Sequence, residues 1–322
     1  MASTPDELGV IRSIVSRAKK LPKGYFKIGD DVAVVPRGAG RLVLKVDMLV
    51  EHTDVPAGMT YRQAARKAVA MCVSDFAAKG VRPDSFVVSL GLEKGVSQEQ
   101  VDALALGFRD AEKEWDVLLV GGDTNEAKEL VIDCAMVGFA KRLVSRSGAR
   151  PGDALVVTGL FGYPPAGLRI LDGSAVAMRK FGGISRASVL RPTPSLEVGM
   201  ALGPLLSSAM DSSDGLARSL HTLATESGVG FEVTRLPVAA GVRKFAEANG
   251  LSLEEMVLEG GEEYVIVGTI RKSRIASARS AVRRAGGGLF EIGEAISEAG
   301  QVVLTTGKKS RQIRDVGWTH LR

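Results

Sequence analysis

The chain has 322 residues, enough for one large or two ordinary domains, each with its own core. Its 45% hydrophobic and 25% charged residues are ordinary for a globular protein. The net charge of +5 suits an anionic ligand such as a nucleotide, but only 5% of residues are aromatic and no basic-aromatic stripe appears, so we predict no nucleic-acid partner. We also predict neither a signal peptide nor a membrane span, and therefore a cytoplasmic protein.

Apolar residues recur at helical spacing in several stretches, and each stretch predicts a helix. These stretches cover residues 6–20, 60–79, 97–115, 216–226 and 274–284. Thr60 and Gly80 are suitable caps for the second helix. Ser97 and Gln100 form a capping-box pattern at the start of the third.

Strands are predicted where short apolar or alternating runs are bounded by turn residues. They cover residues 41–47, 85–92, 117–120, 130–139, 154–158 and 265–270, with 117–120 expected to be short and buried. Residues 48–56 and 308–322 are predicted loops. Both halves mix strands and helices without strict alternation, which indicates two α+β domains. Gly and Pro cluster at 147–153, so we place the boundary between domains 1–148 and 149–322.

Aspartates stand at the ends of several predicted elements. They are Asp30, Asp31, Asp47, Asp75, Asp123, Asp211 and Asp214. Each has a simpler interpretation by itself: Asp31 in a solvated turn, Asp75 as a salt-bridged side chain, Asp211 in a helix cap. A hard cation that takes phosphates as its other ligands needs several carboxylates. Because the sequence repeats these aspartates, we favour a cation site over unrelated turns.

Several of these aspartates lie in a series of short motifs. In chain order the motifs are Ile28-Gly29-Asp30-Asp31, Val46-Asp47-Met48-Leu49-Val50, Ser74-Asp75-Phe76-Ala77-Ala78-Lys79-Gly80, Gly121-Gly122-Asp123-Thr124, Ser145-Arg146-Ser147-Gly148, Asp211-Ser212-Ser213-Asp214-Gly215-Leu216 and Gly260-Gly261-Glu262-Glu263-Tyr264. This ordered series resembles the thiamine-monophosphate kinase family, which belongs to a superfamily of ATP-binding enzymes that includes aminoimidazole ribonucleotide synthetase. Each motif is modest alone, whereas the ordered set is specific and extends over most of the chain.

The resemblance implies a two-domain, aminoimidazole ribonucleotide synthetase-like α+β fold. Its N-terminal Mg²⁺/ATP-binding sheet would pair with a second subunit as the core of a homodimer. The implied reaction is direct, Mg²⁺-assisted transfer of the γ-phosphoryl group of ATP to thiamine monophosphate, with several Mg²⁺ ions. Such transfer depends on positioning and charge neutralisation. The acceptor phosphate needs no strong base, so a total of three histidines is no obstacle.

The resemblance also assigns residues by position. It implies Mg²⁺ ligands at Asp30, Asp31, Asp47, Asp75, Asp123, Asp211 and Asp214. It implies nucleotide contacts at Gly122, Asp123, Arg146 and Ser213, and thiamine phosphate contacts at Asp54, Glu262 and Trp318. Arg146 would act catalytically by stabilising charge on the transferring group, and Trp318 would stack on the thiamine ring system.

Two positions depart from the family pattern. Lys45 and Val46 precede Asp47 where many members carry Ser or Thr. Lys45 is therefore expected either to contact a phosphate or to form a salt bridge with a neighbouring aspartate. Asp54 stands where other members can carry His, which concerns the acceptor contact more than the ATP site.

Three alternatives stay open. The chain could be another ATP-dependent enzyme of the superfamily, among which aminoimidazole ribonucleotide synthetase is the hardest to exclude. It could be a non-catalytic nucleotide-binding dimer, although the complete set of aspartates argues against that. A basic nucleic-acid-binding protein is the third alternative, and no recognisable module supports it.

Overall fold

The computed structural model describes residues 6–26 and 28–320, and only the backbone of residue 8. In chain order the strands are β1 (Ala33–Arg37), β2 (Gly40–Val50), β3 (Pro83–Glu93), β4 (Leu118–Ala127), β5 (Val131–Ala140), β6 (Asp153–Val157), β7 (Leu206–Ser212), β8 (Gly230–Val233), β9 (Val265–Arg271), β10 (Phe290–Ile296), β11 (Val302–Thr306) and β12 (Lys309–Gln312). The helices are α1 (Glu7–Arg17), α2 (Glu51–Asp54), α3 (Tyr61–Lys79), α4 (Gln98–Trp115), α5 (Tyr163–Leu171), α6 (Arg179–Leu190), α7 (Leu196–Leu202), α8 (Leu216–Ser227), α9 (Val242–Ala248), α10 (Leu253–Leu258) and α11 (Ile275–Arg284).

Most predicted elements are confirmed. α1, α3, α4, α8 and α11 occupy the predicted helical stretches, and β2, β3, β5, β6 and β9 occupy predicted strands. Thr60 and Ser97 form capping boxes, and Gly80 ends α3 at φ 63°. The loop predictions are wrong in part, because residues 51–54 form α2 and residues 309–312 form β12. Residues 321–322 of the second predicted loop lie outside the described residues.

The N-terminal sheet has five strands in the order β1-β2-β5-β3-β4. Its neighbouring strands are antiparallel except β3 and β4, which are parallel and joined by the crossover helix α4. α3 and α4 pack side by side on one face of this sheet. Gly107 of α4 permits their close approach, because a Cβ there would lie 2.2 Å from the carbonyl oxygen of Arg62.

The opposite face of the N-terminal sheet is apolar and open. Its exposed members include Val46 at 59%, Met48 at 57%, Val120 at 63% and Phe139 at 59%. Side chains alternate along a strand, so Lys45 and Asp47 of β2 point instead toward α3. Within residues 6–26 and 28–320, no element covers this apolar face.

The prediction of a short buried strand at residues 117–120 is wrong. β4 continues to Ala127 and forms an edge of the sheet, where all but its last residue are exposed. The motif that begins with Gly121-Gly122 therefore lies within the strand and not in a loop after it. Hydropathy indicated burial of this strand, but a single chain supplies nothing to cover it.

α3 is the central helix of the molecule. Nearly all its residues from 64 to 79 are buried, because β2, β5 and α4 surround it on one side and α7 and β7 on the other. Gly199 of α7 allows the second contact, since a Cβ there would lie 2.1 Å from the carbonyl oxygen of Ala77. α3 is therefore buried on more than one face, and its buried residues include Arg66, Lys67 and Lys79.

The C-terminal sheet has seven strands in the order β12-β11-β8-β10-β6-β9-β7 and is covered on both faces. Leu155 and Val157 of β6 pack in the hydrophobic cluster that includes α8. Ala154 and Val156 pack on the other side with α7 and α11. The two sheets share no strand, and the domain boundary at residue 148 stays a prediction. None of the described helices is both long and apolar enough to cross a membrane.

Candidate active site

Three buried aspartates from distant parts of the chain meet beside α3. Asp31 precedes β1, Asp75 lies on α3, and Asp211 lies near the end of β7. A carboxylate oxygen from each lies within 4.8 Å of the others. The alternative that places Asp211 in a helix cap is wrong, because α8 follows Gly215 without any side-chain cap.

Lys45 connects Asp47 to this group. Its Nζ lies 2.7 Å from Asp75 Oδ2 and 3.1 Å from Asp47 Oδ1. The prediction of a salt bridge between Lys45 and a neighbouring aspartate is therefore confirmed. Burial would lower the pKa of Lys45, but Asp75 and Asp47 raise this pKa well above its usual value. The ammonium group therefore stays charged among the aspartates.

Lys79 and Arg146 hold the turn that precedes β1. Lys79 Nζ lies 2.6 Å from both Asp30 Oδ1 and Asp31 Oδ2. Arg146 Nε donates to Asp31 Oδ1 at 2.5 Å, and the Ser145 hydroxyl donates to Asp30 Oδ2 at 3.0 Å. These contacts fix the two adjacent carboxylates from both sides and neutralise part of their charge.

Negative charge nevertheless remains crowded in this cluster. Burial raises the pKa of Asp211 to about 7, and the charge of Asp31 adds to this effect. Burial also raises the pKa of Asp75 well above its usual value; Lys45 opposes the rise, and Asp211 adds to it. Carboxyl groups that resist ionisation in this way are stabilised as carboxylates by a bound cation.

The donor set fits Mg²⁺, which is coordinated by oxygen and is commonly bound through one or two carboxylates together with phosphates. Asp31, Asp75 and Asp211 are the best placed, because their oxygens converge. Asp30 and Asp47 stand beside them, each in contact with a lysine. We call these five aspartates, with Lys45, Lys79 and Arg146, the acidic end of the site.

Gly122 and Asp123 lie elsewhere in the single chain. Gly122 on β4 pairs with Val88 on β3, and β5 lies between β3 and β2, the strand that carries Asp47. Three strand spacings therefore separate Gly122 from Asp47, which amounts to roughly 14 Å. Asp123 follows Gly122 and therefore points toward the open face of the sheet. A Cβ on Gly122 would lie 2.2 Å from the carbonyl oxygen of Val88, so this position requires glycine.

A cavity of about 510 Å³ opens next to Arg146. Its lining residues are Tyr25, Phe26, Gly29, Asp30, Ser145, Arg146, Ser147 and Glu226. Two aromatic rings and a guanidinium group around one cavity suit a nucleoside phosphate. Arg146 is thus placed for its predicted nucleotide contact. Ser213 is another residue with a predicted nucleotide contact. Its carbonyl oxygen accepts a hydrogen bond from the N–H of Glu262 at 2.6 Å.

A buried lysine joins two of the predicted acceptor residues. Lys67 Nζ donates to the carbonyl oxygen of Asp54 at 2.8 Å and contacts Glu262 Oε1. The Asp54 carboxylate accepts the N–H of Val50 at 2.8 Å. We call Asp54, Lys67, Glu262 and Trp318 the Lys67 end of the site.

Trp318 and Glu262 are anchored to adjacent residues of the chain. The N–H of Glu262 binds the Ser213 carbonyl, and the N–H of Trp318 donates to the Asp214 carbonyl at 3.0 Å. The edge-on ring contact of Trp318 with His320 leaves 53% of the residue exposed. Asp214 is exposed and is not part of the converging aspartate group.

Tyr264 is a buried residue on which charges of both ends act. Burial raises the pKa of its phenol well above the usual value, and four carboxylates add to this shift. Glu262 and Asp54 belong to the Lys67 end, and Asp47 and Asp211 belong to the acidic end. Both ends therefore lie within electrostatic reach of this one side chain.

Sequence reasoning missed Lys67 and Lys79 as functional candidates. Both lie on α3 in a row with Met71 and Asp75 at a spacing of four residues, which places them along one stripe of the helix. Charged residues at this spacing on an otherwise apolar helix were the available signal. The acidic end and the Lys67 end both rest on this stripe.

Family comparisons agree with the two-sheet architecture. Residues 29–140 match the AIR synthase related protein N-terminal domain, and residues 150–305 match the AIR synthase related protein C-terminal domain. The fold and the site therefore define the class, which is that of the two-domain AIR synthase related proteins.

Individual relatives narrow this class. The thiamine-monophosphate kinase of Nitrosopumilus maritimus is 36% identical over 87% of this chain and 89% of its own length. The thiamine-monophosphate kinase of Halobacterium salinarum is 35% identical over 97% of this chain and 98% of its own length. The solved structure of AaThiL complexed with AMPPCP and TMP superposes with a TM-score of 0.85 at 27% identity and covers 100% of both chains. The chain belongs to the thiamine-monophosphate kinase family.

Proposed function

We propose that this protein transfers the γ-phosphoryl group of ATP to thiamine monophosphate, which yields thiamine diphosphate and ADP. The observation that carries the proposal is the full-length similarity to a relative complexed with both AMPPCP and TMP, together with the convergent aspartates of the acidic end. ATP and thiamine monophosphate are accordingly the proposed substrates.

The acidic end would receive the phosphates. Asp31, Asp75 and Asp211 would hold Mg²⁺, which when bound would neutralise phosphate charge. Lys45 and Lys79 keep part of the negative charge neutralised before any ligand arrives. Arg146, beside the 510 Å³ cavity, would contact the nucleotide and stabilise charge on the transferring group.

The Lys67 end would receive the acceptor. Trp318 offers an exposed ring for stacking on a cationic heteroaromatic ligand, and Glu262 offers a carboxylate. The acceptor oxygen belongs to a phosphate that is largely ionised near neutral pH, so the reaction needs orientation more than a general base. Direct transfer therefore fits the residues present.

The test follows both products in the presence of Mg²⁺, with thiamine monophosphate present or omitted. We expect ADP release that depends on the acceptor, with one thiamine diphosphate formed for each ADP. ATP binding without acceptor-dependent turnover would contradict the proposed substrate and would favour another reaction of the AIR synthase related class.

We further propose that the active protein is a homodimer in which the open face of the N-terminal sheet is covered by a second copy. The exposed Val46, Met48, Val120 and Phe139 on that face are the supporting observation. We propose in addition that Asp123, which points toward the open face and lies far from the acidic end of its own chain, serves the acidic end of its partner.

Subunit complementation tests this arrangement. Asp75→Asn and Asp123→Asn are each expected to be inactive alone. When the two variants are mixed, about half of the dimers contain one subunit of each kind, and each such dimer has one intact site. The mixture should therefore regain about a quarter of wild-type activity. A mixture that stays inactive, although mixed dimers form, would place Asp123 in its own subunit's site. A monomeric wild-type protein in light scattering would contradict the dimer itself. The cytoplasmic location stays a prediction from the sequence.

A further inference from the structure

Lys67 is a buried cation that ties three segments together. It is 0% exposed on α3, yet its Nζ reaches both the Asp54 carbonyl, at the end of α2, and the Glu262 carboxylate, in the loop before β9. A buried ammonium group is costly unless it is paired and hydrogen-bonded. Both partners of Lys67 belong to residues with a predicted acceptor contact, which makes the ion pair a candidate part of that site.

Glu262 has an unusual backbone conformation. Its φ of 63° lies in the left-handed region that residues with a side chain rarely adopt. Its N–H is fixed to the Ser213 carbonyl. Its Oε1 contacts Lys67, whereas its buried Oε2 has no hydrogen-bond partner within residues 6–26 and 28–320. A buried carboxylate oxygen held in this way is ready to accept a donor from a ligand.

We propose that Lys67 is a positioning residue for the acceptor. It orients Glu262 so that Oε2 accepts an N–H of the acceptor's aminopyrimidine ring, and it fixes this contact relative to α2. This inference rests on the proposed function. Lys67 acts through Glu262 and does not touch the reacting phosphates.

The position of Lys67 on α3 separates its proposed role from that of the acidic end. Lys67 and Asp75 are eight residues apart on α3, which corresponds to about 12 Å along the helix axis. A change at Lys67 should therefore affect binding of the acceptor and leave binding of the nucleotide nearly unchanged.

Arg66 supplies a matched control. It is also a buried cation on α3 and also reaches the C-terminal half, where its Nη1 donates to the carbonyl of Pro192 at 2.7 Å. Its other partner is Glu114, away from Glu262. Arg66→Met thus removes a buried tie between the two halves without altering the Lys67 end.

The experiment compares KM for thiamine monophosphate, KM for ATP and kcat in Lys67→Met, Glu262→Gln, the double variant and Arg66→Met. We expect Lys67→Met to raise KM for thiamine monophosphate about tenfold or more, the size of a lost charge-assisted hydrogen bond, with KM for ATP within about twofold. The KM of the double variant for thiamine monophosphate should be no higher than that of Glu262→Gln, because both substitutions remove the same contact. Arg66→Met should lower Tm without changing KM for thiamine monophosphate.

Two results would overturn the proposal. One is a folded Lys67→Met protein whose KM for thiamine monophosphate stays within about twofold of wild type. The other is a double variant in which the two effects multiply. AMPPCP binding verifies folding, and if Lys67→Met fails to bind it, Lys67→Gln, which can still donate to the Asp54 carbonyl, replaces it. If wild-type protein shows no acceptor-dependent turnover, the proposed function fails; normal turnover with unaffected Lys67 variants rejects only the positioning role.

Discussion

The two ends of the candidate site treat charge in different ways. At the acidic end, five carboxylates face three cations, and the pKa values of Asp75 and Asp211 are raised. At the Lys67 end, one lysine contacts one carboxylate and one carbonyl, and the buried Oε2 of Glu262 has no hydrogen-bond partner among the described residues. The acidic end therefore requires an added cation, whereas the Lys67 end is ready for a hydrogen-bond donor. A divalent cation that carries phosphates would satisfy the first demand, and an N–H group of a ligand would satisfy the second.

The largest expected effect is the loss of a carboxylate at the acidic end. Asp75→Asn should lower kcat by about 10²- to 10³-fold or more, because a converging ligand oxygen is removed while the side chain keeps its shape. Steady-state turnover measures this loss. Asp172→Asn changes an exposed carboxylate that accepts a hydrogen bond from the N–H of Ser174, and it should have no effect. Wild-type turnover by folded Asp75→Asn would remove Asp75 from the metal set.

Lys45 tests whether the chain's own cations compete with Mg²⁺. Lys45→Met removes a positive charge 2.7 Å from Asp75, so Mg²⁺ should bind the nucleotide-free protein about tenfold more tightly. Isothermal titration calorimetry gives the affinity. The control is Lys272→Met, which removes an exposed lysine paired with Glu294 and should change nothing. Weaker Mg²⁺ binding by Lys45→Met would mean that Lys45 organises the carboxylates more than it competes with the ion.

Trp318 tests the Lys67 end. Trp318→Ala should raise KM for thiamine monophosphate roughly three- to tenfold and leave KM for ATP nearly unchanged, since the loss is that of a stacking surface. Trp318→Phe keeps an aromatic face and should recover part of the affinity. Equal effects of Trp318→Ala on both KM values would indicate a role in packing.

The smallest expected effect concerns the pH dependence of stability without metal. The pKa of Asp211 is about 7 in the folded protein and near 3.9 in the unfolded chain. The folded state therefore binds more protons between these values, and the free energy of unfolding should fall as pH rises through this window, by less than about 1.4 kcal/mol per pH unit from this group. Urea unfolding in EDTA at several pH values should show a flatter dependence for Asp211→Asn. Equal slopes in the two proteins would show that Asp211 does not titrate there.

Local signals in the sequence predicted five of the helices and five of the strands at their observed places. The capping boxes at Thr60 and Ser97 and the left-handed Gly80 depend on residues a few positions apart, so they can be read directly. The family motifs likewise indicated the fold class and the aspartates, and the salt bridge of Lys45 followed from its position beside Asp47.

Packing between distant segments decided the rest. The alternation of side chains along β2 places Val46 on one face of the sheet and Lys45 and Asp47 on the other. Only the position of α3 determined that the charged residues point inward and the apolar residue points outward. β4 looked like a buried strand, yet it is an exposed edge, because burial depends on what covers a strand and not on its hydropathy.

The sequence by itself therefore determined five of the helices, the capping boxes of α3 and α4, the two-domain class and the identity of the candidate ligands. The tertiary structure decided which aspartates converge, that Lys67 and Lys79 are buried partners of carboxylates, and that Asp123 lies far from Asp47 in one chain. The physical reason is range. Caps and periodicity act over one or two helical turns, whereas charge pairing between residues such as Lys67 and Glu262 depends on contacts between segments nearly two hundred positions apart.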